Sequence, residues 1–128
     1  GPYNKMTQLI TSLKTLNNTT AIPIILAGTQ DAMSAISIDN QTKSRFKPLE
    51  LPNWNNDENF SRFITTIEAM LPLKKASNLY QNYELLTYLH ELSNGCIGEV
   101  IDILKDASIY AIRTKSEKIT KKEIKEIL

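Results

Sequence analysis

The chain has 128 residues, enough for one domain with a real hydrophobic core. Its hydrophobic content of 41% and charged content of 23% are ordinary for a globular protein, and a formal net charge of +1 gives no overall pull toward nucleic acid or membrane. Cys96 is the one cysteine, which excludes an internal disulfide, and the longest apolar run, residues 21–27, is too short to span a bilayer.

The leading Gly1-Pro2 resembles what a protease leaves after removing a tag, so fold reasoning starts at Tyr3. Residues 4–16 place Met6, Leu9, Ile10, Leu13 and Leu16 at helical spacing. The polar run Asn17-Asn18-Thr19-Thr20 reads as a break. "AIPIILAG" then reads as a short strand, apolar on both sides, which normally requires neighbours on both faces. The second strand candidate is "FKPLEL", residues 46–51. Between the two, residues 31–38 suggest a short helix and residues 41–45 another turn.

The character changes after residue 52. Asn55 and Glu58 have capping-box spacing and introduce a helix carrying Phe60, Phe63, Ile64, Ile67 and Leu71, closed by Pro72. Residues 73–81 read as a loop, and residues 83–92 as a helix stopped by Asn94-Gly95. A long helix follows over 97–112, with Val100, Ile101, Leu104, Ala107, Ile109 and Ala111 on its apolar side. Thr120 and Glu123 make a second capping box, opening a last helix with Ile124, Ile127 and Leu128. The expectation is mainly α: a helix–strand–helix–strand piece over 3–52, then a four-helix bundle within 53–128. Pro52 and Trp54 lock the hinge between them.

Four places bear on chemistry. In "AGTQDA", Gly28 allows a sharp turn, and Thr29 puts a hydroxyl at the C-terminal end of the predicted strand, where open α/β sheets place ligands. The plainer alternative is a turn in which Thr29 or Gln30 caps the next helix. Arg45 is either a snorkelling surface residue or a charge aimed at a phosphate on a neighbouring subunit. "NGCIGEV" sets Gly98 and Glu99 at a helix start, where Glu99 already complements the dipole and disfavours phosphate. "RTKSEKITKKEIKE" mixes Lys118, Lys121 and Lys122 with glutamates, which fits a solvated face or a phosphate-contacting one. Cys96 reads as a small buried apolar residue, and His90 as a partly exposed surface residue. Neither G-x-x-x-x-G-K-[ST] nor an apolar run ending in Asp-Glu is present, so the chain alone is expected to be catalytically inactive.

Taken in order, "IPIILAGTQDA", "SRFKPLELPNW", "LPLKKASNL" and "LSNGCIGEVIDIL" resemble the C-terminal half of the TniB family. These are AAA+ ATPases of bacterial transposons, related to the TnsC regulators. The resemblance runs over nearly the whole chain from about residue 4. It implies that residues 22–27 are the strand ending in sensor 1, with Thr29 facing the γ-phosphate. It implies that Arg45 is an arginine finger reaching a neighbour's ATP. Residues 3–52 would close the AAA+ core and residues 53–128 would be its helical lid, with Gly98 and Glu99 in the sensor-2 region. This chain departs there, since no arginine follows within the next turn.

The resemblance further implies ATP and Mg²⁺ in the full-length parent, a ring or filament of copies, DNA and a transposase as partners, no membrane, and a cytoplasmic setting. For the chain alone no cofactor is expected. Two readings from other classes stand beside it. One is a small helical DNA-binding domain using Lys118, Lys121 and Lys122. The other is a module that docks a transposase. The lid of another AAA+ clade, such as an origin-recognition or clamp-loader protein, is a third.

Overall fold

The computed structural model describes residues 1–38 and 40–128, residues 2 and 3 by backbone alone. The protein is mainly helical. It divides into two compact units, residues 1–50 and 51–128.

In the first unit, helix α1 spans Pro2–Thr20. The predicted polar break does not end it. Thr19 and Thr20 instead turn their hydroxyls back onto the carbonyls of Thr15 and Leu16, so these side chains bond within the helix. The stop comes at Ala21, in the left-handed region at φ 54°, whose N–H donates to the Asn17 carbonyl at 2.9 Å. Helix α2 is Gln30–Ile36 and packs against α1; helix α3 is Asn40–Arg45.

The two predicted strands are not strands. Residues 21–29 and 47–50 carry no regular structure, and among the described residues no strand occurs. Pro23 and Pro48 each remove a ladder N–H from the middle of its segment. Neither segment has a partner strand here, and Ile25 is 93% exposed and Leu49 86%.

The second unit carries the core. Helix α4, Glu58–Met70, begins at Asp57, whose side chain accepts the Phe60 N–H at 3.1 Å. The cap is therefore Asp57 and not Asn55, because the helix starts two residues later than the spacing implied. The helix ends at Leu71, held extended before Pro72. A 3₁₀ turn, Leu79–Gln81, interrupts the expected loop and buries Leu79. Helix α5, Tyr83–Ser93, is capped by Asn82, which accepts the Leu85 N–H at 3.0 Å. Helix α6 is Ile97–Arg113, and helix α7 is Lys121–Glu126 behind a complete Thr120–Glu123 capping box.

Phe60 and Ile64 of α4 meet Leu79, then Leu85, Leu86 and Leu89 of α5, Val100, Ile103, Leu104 and Ala107 of α6, and Ile119 and Ile124. The buried face of α6 thus includes Ile103. Two of its predicted core residues lie at the margin instead, Ile101 at 40% exposed and Ile109 at 42%. Leu128 is also exposed.

The loop from α6 to α7 holds two non-glycine residues in the left-handed region, Lys115 at φ 64° and Glu117 at φ 57°. Each such residue costs roughly 1–2 kcal/mol, which the surrounding bonds must offset. The Glu117 N–H donates to the Ala111 carbonyl at 3.1 Å and the Lys115 N–H to that of Ile112 at 3.2 Å.

Candidate functional site

The predicted site residues fall into separate places. In the first unit, Thr29 stands at the N-cap position of α2 with extended backbone, but its hydroxyl makes no capping bond. It is exposed. Gly28 precedes it, and a Cβ there would lie 2.8 Å from the Ala32 Cβ, so the turn into α2 needs a residue without a side chain. Arg45 is the exposed last residue of α3. Its guanidinium donates to the Asn18 carboxamide oxygen of α1, 27 residues earlier. Phe46, half-buried, follows, with its N–H on the Thr42 carbonyl at 3.0 Å. Thr42 is the buried residue of α3. Arg45 therefore sits at a helix end, and not before a strand, with α1 orienting its head.

In the second unit, Gly98 and Glu99 occupy the exposed first turn of α6. A Cβ on Gly98 would meet nothing within 4 Å, so that glycine leaves open space. The first turn borders a shallow groove that also takes in Trp54, Arg62, Phe63 and Cys96. Cys96, expected to be a small buried residue, is half-buried. Lys105, the nearest cation farther along α6, pairs with Asp102 at 3.4 Å on the exposed side.

Trp54 closes this region through contacts that pattern reading did not reveal. Its N–H donates to the Gly95 carbonyl at 2.8 Å, and its own carbonyl lies 2.7 Å from His90 Nε2. Asn53 donates to the Asn94 carbonyl at 3.0 Å. Gly95 is at φ 71°, and a Cβ there would stand 2.1 Å from the Trp54 carbonyl oxygen. Only glycine permits this approach. His90 is half-buried and meets the Phe60 ring edge-on at 5.3 Å; Trp54 packs on Phe63 at the same centroid separation. His90 is partly exposed, as expected, and also serves as a latch between α5 and the segment entering α4. The readable signal was Asn94-Gly95 as a stop; its docking partner 40 residues upstream was not.

The three lysines weighed for nucleic acid, Lys118, Lys121 and Lys122, differ in their surroundings. Lys121 is drawn onto α5, 2.6 Å from the Glu84 carboxylate and 5.2 Å from the centroid of the Tyr88 ring. The hydrogen bond from Lys121 holds the Glu84 carboxyl below its ordinary value, and Glu84 in turn raises the Lys121 ammonium. Lys118 and Lys122 remain exposed. Behind them, Glu123 is only 5% exposed. Burial pushes its carboxyl up, but hydrogen bonds from the Thr120 hydroxyl and N–H, its own N–H and Ser116 outweigh that, leaving it lowered.

Among the described residues no group of three His, Cys, Asp or Glu side chains gathers as metal ligands do. No helix among them is long and apolar enough to cross a membrane. Comparison with curated proteins and with solved structures gives no match. The family model described as bacterial TniB protein matches residues 1–56, a span that contains Thr29 and Arg45 but stops before α4. The two later motifs, in 71–79 and 92–104, lie outside that match. Over its first 56 residues, the chain is TniB-like.

Proposed function

We propose that this chain contributes to a TniB-like AAA+ ATPase acting in transposition, in which Arg45 reaches the nucleotide of a neighbouring copy. The observation that carries the reading is the placement of Arg45. It lies inside the TniB-like span, exposed at the end of α3, its head held by one exposed carboxamide. A guanidinium so held is free to exchange Asn18 for a phosphate, which offers charge-assisted and bidentate bonds. Thr29 serves as the polar residue facing the γ-phosphate. Residues 53–128 act as the helical lid.

ATP would bind between copies, with Arg45 stabilising charge on the transferred phosphoryl group. Finger arginines contribute about 10³–10⁵-fold in rate. In this reading ATP and Mg²⁺ belong to the full-length ATPase. DNA and a transposase are the partners the reading implies.

The test mixes two inactive forms of the TniB-like ATPase carrying this segment: Arg45→Ala and a phosphate-loop variant. ATP turnover restored on mixing supports action in trans. Normal turnover by Arg45→Ala alone would remove the assignment. A second reading is DNA binding by the helical unit, favoured by the exposed Lys74, Lys75, Lys115 and Lys118 on two hydrogen-bonded loops.

A further inference from the structure

The loop 73–77 and the loop 114–119 are about 40 residues apart in sequence and run side by side in the second unit. The Lys75 N–H donates to the Glu117 carbonyl at 3.1 Å. The Lys74 N–H reaches the Glu117 carboxylate at 3.4 Å, and the Ile119 N–H donates to Ser77 Oγ at 2.9 Å. This seam sets Lys74 and Lys75 beside Lys115 and Lys118, all four exposed. Glu117 is the acidic side chain within the seam, so it carries three positive charges in excess, four lysines less one glutamate. The left-handed turns at Lys115 and Glu117 fix the second loop in place, so its lysines sit on a preset backbone.

We propose that Lys74, Lys75, Lys115 and Lys118 form a binding site for the phosphate backbone of duplex DNA. Four ammonium groups on an open surface supply charge without an arginine fork or an apolar slot. Duplex DNA rewards charge alone, because each neutralised phosphate releases condensed counterions. An acidic peptide would need buried anchors in addition to charge. The site takes Lys115 and Lys118 from the lysine-rich run 113–126 but leaves out Lys121, which is committed to Glu84, and adds Lys74 and Lys75 from a segment that read only as a loop. It does not depend on the nucleotide reading, since neither Thr29 nor Arg45 takes part.

The test titrates the whole chain into a fluorescein-labelled 30-base-pair duplex of arbitrary sequence and follows anisotropy across salt concentrations, without ATP. Four phosphate contacts give a slope of log affinity against log salt of about −3.6. Lys74→Gln with Lys75→Gln should bring it to about −1.8 and weaken binding about tenfold at low salt. Both lysines use their backbone N–H groups in the seam, so the variant keeps its circular dichroism melt. Lys105→Gln, an exposed α6 control, should leave the slope unchanged. The proposal fails if the chain does not bind the duplex at 50 mM salt, if Lys105→Gln weakens binding as much as the pair, or if polyglutamate of equal charge displaces the DNA fully. Arg45 complementation can succeed or fail without altering any of these readouts.

Discussion

Residues 51–128 bury Phe60, Ile64, Leu79, Leu89, Leu104, Ile119 and Ile124 completely or nearly so, while among the described residues of 1–50 only Thr42 is buried. Both units contain apolar residues at structured spacing. Met6, Leu9 and Leu16 of α1 have helical periodicity yet stay exposed, as do Ile22, Ile25 and Leu26 after it. The difference lies in partner surfaces. Helices α4 to α7 face one another across short connections, so each apolar stripe finds another. The first unit has α2 against α1 and two irregular apolar segments, a set too small to enclose a core. Periodicity tells which face is apolar; it takes a second face to turn that into stability.

The sharpest way to break this comparison is a pair of truncations followed by urea unfolding of the whole chain. Phe60→Ala should cost about 3–5 kcal/mol, because the ring is fully buried among α4, α5 and His90. Ile25→Ala should change stability by less than about 0.5 kcal/mol, its side chain being in water. Equal costs would show that residues 1–50 hold a core of their own.

A smaller effect probes the latch at the start of the second unit. Gly95→Ala places a methyl against the Trp54 carbonyl and forces alanine into the left-handed region. The strain and the lost hydrogen bonds together should cost about 2–4 kcal/mol. Trp54 is the one tryptophan, so its fluorescence should shift to the red as the segment comes off α5. An unshifted spectrum would mean that the docking contributes little.

The smallest effect concerns the α7 cap. Thr120→Ala should cost about 1 kcal/mol. Glu123 adds a pH dependence: its folded carboxyl is lowered, so its contribution is present above the ordinary carboxylate range and is lost as pH falls through its folded value. Glu123→Gln should flatten the acid limb of the stability profile relative to the parent chain. An identical acid limb would show that the hydrogen bonds to Glu123 are not what holds its proton off.

Much of the second unit was legible because its signals are local. Thr120 and Glu123 specify their cap within one turn, Asn94-Gly95 supplies the left-handed stop, and α6 appears at almost its predicted length. The errors came where two local rules competed. Asn55 and Asp57 both have capping chemistry, and the helix uses Asp57, two residues later. Asn17 to Thr20 looked like a break until their hydroxyls and carboxamide found partners inside and just beyond α1.

For the candidate sites, the residue types were readable and their neighbours were not. Arg45 was visible as a single arginine before an aromatic, but its tether to Asn18 spans 27 residues. Lys118, Lys121 and Lys122 read as one run, and the fold separates them by giving Lys121 to Glu84. By itself, the sequence determined the helices of the bundle, the Thr120–Glu123 cap and the absence of a phosphate-cradling loop, because these depend on side chains within a turn of one another. Only the tertiary structure decided which apolar faces are buried, that Trp54 docks on Gly95 and His90, and that Lys74 and Lys75 lie beside Lys115 and Lys118. Those pairings join residues roughly 40 positions apart, and no local preference encodes a contact that the packing of whole helices creates.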